Sequence, residues 1–125
     1  MSAGAALQRA VALRLEAVAG LGGVYDGAPA RAPYPYVSID AGAETDWSHK
    51  SGEGREVALA TTLWSDTPEY LHELADLVEA AVSGIGEVEG WQLVSLRLLR
   101  RRVVRDVAGP WAAAIDFRAR LLRVA

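Results

Sequence analysis

The sequence predicts an α+β fold: an antiparallel sheet of about four strands, two helices packed on one of its faces, and a long C-terminal hairpin. Three observations carry this. Two segments show helical spacing of apolar residues, several show strict alternation, and the last third holds two long alternating runs separated by a short turn. The 125 residues read as a single domain spanning 1–125, with about half of them apolar, enough for one core.

In chain order, residues 3–20 form the first helix. Leu7, Val11, Leu15 and Val18 recur on one stripe, and Gly20, Gly22 and Gly23 stop it. The stretch from Val24 to Pro35 is rich in proline and contains Asp26-Gly27, so it reads as a loop or turn. Tyr36, Val37 and Ile39 make a short strand ending near Asp40. Residues 41–54 are polar, Gly-containing and without period, a functional or mobile loop. Trp47 is its one bulky apolar residue; it docks on a neighbour or folds back on its own chain.

Residues 55–64, REVALATTLW, alternate as a strand with Val57, Leu59, Thr61 and Leu63 on one face. The second helix follows, with Thr67 as N-cap, Pro68 at the first position and Glu69 in the first turn. Leu71, Leu74, Val78 and Val82 form its buried stripe, with Leu77 and Ala81 beside it. His72, Glu73, Asp76 and Glu79 face outward, and Gly84 ends it.

The hairpin runs from Trp91 through the turn Arg105-Asp106-Val107-Ala108-Gly109 to the end of the chain. Trp111, Ala113, Ile115, Phe117, Ala119 and Leu121 alternate cleanly on its second strand. On the first strand, strict alternation places Val94, Leu96 and Leu98 on the face of Arg100 and Arg102, and Arg97 with Arg101 on the other. An apolar face that turns basic marks the point where the strand leaves the core. A 14-residue strand spans roughly 48 Å, against a diameter of about 35 Å for a chain of this size. The hairpin must therefore curve or project, exposing strand edges that an oligomer can use.

Charge is unevenly placed. The net charge is −3, yet the hairpin holds eight of the thirteen basic residues, while residues 1–96 hold fourteen of the sixteen acids. This asymmetry points to an anionic partner or to contact between copies. The arginines Arg97, Arg100, Arg101, Arg102 and Arg105 are the one chemical signal. They are read as an assembly surface, toward a neighbouring copy or another partner protein, together with Trp47, His49 and Lys50. The matching acidic face is Glu73, Asp76 and Glu79. Two other readings stand beside this one: DNA phosphates as the partner, and a charged strand end that prevents edge aggregation.

No catalytic set emerges. There are no cysteines, and neither His49 nor His72 has a metal-ligand partner at suitable spacing, so no metal or cofactor is expected. Asp40, Glu44 and Asp46 read as solvated acids. Ser51-Gly52-Glu53-Gly54-Arg55 lacks the ending of a phosphate loop and leads into a strand. No membrane span or signal peptide is read, and a cytoplasmic-type soluble protein is expected.

Ala6-Leu7-Gln8-Arg9-Ala10-Val11 at the start of the first helix leads to Val24-Tyr25-Asp26 and then to Tyr34-Pro35-Tyr36-Val37. Leu63-Trp64-Ser65 ends a strand, and a basic strand, the Arg105-Asp106 turn and an aromatic-rich last strand close the chain. In order and spacing this resembles the small tail-component proteins of tailed bacteriophages and gene transfer agents, the tail-terminator or tail-completion group. The resemblance implies a structural protein, not an enzyme. It implies a homo-oligomer, a hexameric ring on the head-proximal end of the tail tube that ends tube polymerisation. Its implied partners are the tail tube protein, a head-completion or adaptor protein, and DNA passing through the lumen without sequence-specific binding. Its implied place is the tail or neck of a virion or virus-like particle assembled in the bacterial cytoplasm. A neighbouring head-completion or adaptor role, and a small nucleic-acid-binding module, are the alternatives.

Overall fold

A computed structural model describes residues 1–105 and 109–124. Five strands form one sheet in the order β1-β2-β3-β5-β4: β1 Gly23–Asp26, β2 Tyr36–Asp46, β3 Gly54–Ser65, β4 Trp91–Arg105 and β5 Trp111–Arg123. The helices α1 (Ala3–Glu16) and α2 (Leu71–Ser83) cover one face of it. The α+β class stands, with one strand more than expected. The extra strand, β1, pairs in parallel with β2, so the sheet is mixed rather than wholly antiparallel. It is four residues long and lies at a sheet edge, too short for alternation to register.

The core lies between helices and sheet. Leu7, Val11 and Leu15 of α1 pack with Val37 and Ile39 of β2, Val57, Leu59 and Leu63 of β3, and Ile115, Phe117 and Leu121 of β5, all essentially inaccessible to solvent. Thr61 is buried among them, and its hydroxyl donates to the Ile115 carbonyl at 2.9 Å, which removes the cost of burying it.

Local chemistry sets the helix ends. The Ser2 hydroxyl accepts from Ala5 N–H at 3.1 Å, and the Glu44 carboxylate accepts from Gly4 N–H at 2.7 Å. An anion at the positive end of the helix dipole is thereby supplied by β2. The helix stops at Glu16, before the expected Gly20, which turns the chain with φ 97°. Thr67 does not cap the second helix as expected. Its own N–H donates to Ser65 Oγ, Pro68–Tyr70 make a 3₁₀ turn, and the α-helix begins at Leu71. Ala75, not Leu74, completes the buried stripe, and Leu77 is 52% exposed. Arg14 donates from Nε to the Ala81 carbonyl at 3.0 Å, placing a cation at the C-terminal end of α2.

Residues 41–54 are not one loop. The strand β2 continues to Asp46 and pairs with β3 from Ala43↔Ala58 to Asp46↔Arg55, after a bulge between Asp40 and Ala43. The bulge breaks the alternation, and this half of the strand is largely exposed and polar on both faces, so no period reaches the sequence. Only the segment joining Asp46 to Gly54 is loop. The long hairpin does not project away from the sheet either. Strand β3 pairs with β5 along its full length, from Gly54↔Leu122 to Ser65↔Trp111, so the sheet is as long as the hairpin. Of the expected turn, Asp106, Val107 and Ala108 lie outside the described residues.

Candidate assembly surface

Two bulges in β4 decide where its arginines point. Cross-strand partners share a face. Leu93 pairs with Leu121, but the next core partnership is Leu96↔Ala119, and after Leu98↔Phe117 the next is Arg101↔Ile115. Each bulge adds one residue, at Val94 and at Leu99, and each reverses the faces that follow. The helix-facing residues of β4 are therefore Trp91, Leu93, Leu96, Leu98, Arg101, Val103 and Arg105. The expected sharing of one face by Val94, Leu96, Leu98, Arg100 and Arg102 is corrected, and Val94 lies 44% exposed rather than in the core.

The same shift brings Arg97, Arg100 and Arg102 onto one face, the side of the sheet that no helix covers. Strict alternation had divided them. Arg118 and Arg120 of β5 join them there. The rows across this open face are read from the register. Tyr36, Trp64, Ala112 and Val104 form one; Ser38, Thr62, Ala114 and Arg102 the next; then Asp40, Ala60, Asp116 and Arg100; then Ala43, Ala58, Arg118 and Arg97. A basic strip thus runs along the β5–β4 side and small residues fill the middle. An aromatic corner stands at the far end. There Tyr36 stacks on Tyr34 at 5.7 Å and on Trp64 at 6.4 Å, with Tyr25 edge-on at 5.8 Å. Burial, with the charges of Tyr34 and Tyr25, pushes the Tyr36 phenol above its ordinary value.

Three carboxylates interrupt the strip. Asp116 lies 3.9 Å from Arg100, Glu56 lies 3.3 Å from both Arg118 and Arg120, and Asp40 stands on β2. Arg118 Nε makes no hydrogen bond among the described residues, so its contact with Glu56 is an ion pair only. Arg97 and Arg102 are exposed and form no ion pair among the described residues.

Trp47 folds back onto its own chain. Its ring lies 5.5 Å from the Arg120 guanidinium and 4.6 Å, edge-on, from His49. It remains half-exposed at the corner of the open face, while His49 and Lys50 are exposed on the loop. The loop is held by Asp46, whose carboxylate accepts from the Ser48 hydroxyl at 2.5 Å. That bond holds the Asp46 carboxyl below the usual carboxylate range, helped by the Ser48 N–H and by Arg55.

Arg101 and Arg105 belong to the opposite face. Arg101 donates to the Asp76 carboxylate at 2.6 Å and to the His72 carbonyl at 3.0 Å, and lies 3.6 Å from Glu79. Two of the three acids expected to meet a neighbour are thus engaged within the chain, and Glu73 points elsewhere. Arg105 stacks over Trp111 at 5.4 Å. On the far flank of α2 lies a groove of about 400 Å³, bordered by Gly20, Pro35, Tyr70, Glu73, Leu74 and Leu77. Sequence reading missed this groove, along with Arg118 and Arg120. The arginines were legible from the alternation of β5; the groove was not, because residues distant in sequence form it. No group of acidic or histidine side chains suited to a metal ion occurs among the described residues.

The model of the family described as tail completion protein gp17 matches residues 5–122. The chain belongs to this tail-completion family. It is accordingly a tail-completion protein of a phage-like particle. Among solved structures, a chain of the virion of a native gene transfer agent particle is 30% identical, with a TM-score of 0.72 over 98% of this chain and 99% of that one. The gp17 protein of bacteriophage SPP1 is 24% identical and shares the fold, with a TM-score of 0.64 over 98% of this chain and 91% of that one. A comparison with curated proteins finds no match.

Proposed function

We propose that this tail-completion protein forms a homo-oligomeric ring, a hexamer, at the head-proximal end of the tail tube. There it ends tube polymerisation and joins the tail to the head-completion or adaptor protein of the neck, and DNA passes through its lumen. Its role is structural and no catalytic step is assigned. The observation that carries this reading is the two-sidedness of the molecule. The helix layer covers one face of the sheet and bears the exposed acids Glu69 and Glu73; the other face is uncovered, basic and aromatic. Two unlike surfaces that cannot meet within one copy suit head-to-tail contact, which closes into a ring when the rotation between copies is a whole-number fraction of a turn. Family membership and the likeness to a gene transfer agent chain support the placement in a tail.

The alignment of Arg97, Arg100 and Arg102 favours a second reading, in which the open face binds nucleic acid. The carboxylates of Asp40, Glu56 and Asp116 on the same face weigh against it, since phosphate binding rewards an uninterrupted positive surface. Light scattering with and without tube protein tests the ring. A sixfold mass is expected; a monomer under both conditions overturns the proposal.

A further inference from the structure

We propose that the open sheet face of one copy packs on the helix layer of the next, with the arginine strip of β4 against the acidic groove of α2. This contact rests on the ring reading above and names its subunit joint. The two surfaces match in kind. The β4 side offers Arg100 and Arg102 beside Leu99 and Val104, which are 57% and 44% exposed. The groove offers Glu73 beside Tyr70 and Leu77, which are 66% and 52% exposed, and the exposed Glu69 precedes Tyr70 in the chain just outside the groove. Each is apolar ground with one predominant charge, the β4 side remaining net basic with Asp116 beside Arg100, and the signs are opposite, which fixes orientation and disfavours like-against-like pairing.

The geometry makes the contact intermolecular. Arg101 lies along the His72 and Asp76 flank of α2, while Glu73 and Leu77 line the other flank, on average about 100° around a helix of 3.6 residues per turn, with Tyr70 of the preceding turn beside them. Arg102 lies on the opposite side of the sheet from both helices. One copy cannot bring Arg102 to its own Glu73, so each contact leaves both surfaces half-used and the chain of contacts continues to the next copy. The size is adequate. Four long strands at about 4.8 Å spacing, eleven residues of about 3.4 Å each, make a face of roughly 700 Å². A stable interface takes about 600–1,000 Å² from each partner.

The chain has no cysteine, so paired cysteines read the contact without background. A chain carrying Arg102→Cys with Glu73→Cys, assembled with tube protein and oxidised, is expected to give a ladder of linked subunits up to the ring. Either single variant gives none, because a disulfide needs Cα atoms within about 7 Å. Arg102→Glu is expected to weaken assembly at least tenfold, and Glu73→Arg added to it to restore assembly. A ring from the wild type with no ladder from the double-cysteine chain, or a ring that Arg102→Glu leaves intact, sinks the contact and leaves the ring standing. Binding of a double-stranded DNA fragment that Arg102→Glu abolishes, with ring mass unchanged, assigns the face to nucleic acid and overturns it too. Failure of the wild type to form any ring removes the parent reading and this contact together.

Discussion

Arg101 and Arg102 are adjacent, identical in chemistry and part of one basic run, yet the Leu99 bulge assigns them opposite duties. Arg101 lies against α2 with its side chain 21% exposed, donating to Asp76 and to the His72 carbonyl. Replacing it with alanine removes a charged hydrogen bond to a backbone carbonyl, worth about 1.5 kcal/mol. It also removes an ion pair to Asp76, which is 69% exposed and so contributes no more than about 0.5 kcal/mol after solvent screening. The expected loss is about 1–2 kcal/mol, which for a chain of this length lowers the melting temperature by about 4–8 °C. Arg102→Ala takes an exposed side chain off the open face and should stay within about 0.5 kcal/mol of the parent. Urea and thermal unfolding followed by circular dichroism, at low concentration without tube protein, compares the two. A cycle with Asp76→Ala should recover a coupling of about 0.5 kcal/mol. Equal effects, or a larger loss from Arg102→Ala, would refute the bulge assignment.

Three further outcomes follow from the same contacts. Gly54→Ala places a Cβ against the Trp47 carbonyl, backbone that cannot swing away, and should cost about 1–3 kcal/mol in urea unfolding. Gly84→Ala meets chiefly the end of the Arg14 side chain, which can shift although it donates to the Ala81 carbonyl, and the Ala80 carbonyl less closely, and costs less. Glu44→Gln keeps a hydrogen-bond acceptor beside Gly4 but removes the charge at the α1 N-terminus, a loss of about 0.3–1 kcal/mol by the same assay. Ser48→Ala should raise the Asp46 carboxyl toward its ordinary value in an NMR titration, because the hydroxyl bond is the main force lowering it. A depressed carboxyl stabilises the fold above its unfolded-state value. The parent's advantage over Ser48→Ala is therefore full at neutral pH and disappears as the pH falls through the lowered folded value.

What the sequence made legible were elements with one buried face and an unbroken period. Leu7, Val11 and Leu15 marked α1, Val57 to Leu63 marked β3, and Ala113 to Leu121 marked β5. Bulges hid the rest. Between Trp91 and Arg105 leucine, valine and arginine occur at both parities, so nothing local reveals that Val94 and Leu99 each shift the register; only pairing with β5 does. The second half of β2 was invisible because Glu44, Thr45 and Asp46 are exposed on both faces. Arg97, Arg100, Arg101, Arg102 and Arg105 were identified as a group, but their division between two faces depends on one extra residue. Ile85 and Val88, in the short Gly-rich segment between α2 and β4, close the core beside Trp91, and no local period marks them.

The length of the tail tube tests the central claim most directly. Tubes assembled in cells that lack this protein, measured by electron microscopy, should be overlong and heterogeneous, and restoring the protein should return them to one length with the head joined. Tubes of normal, uniform length in its absence would contradict the account.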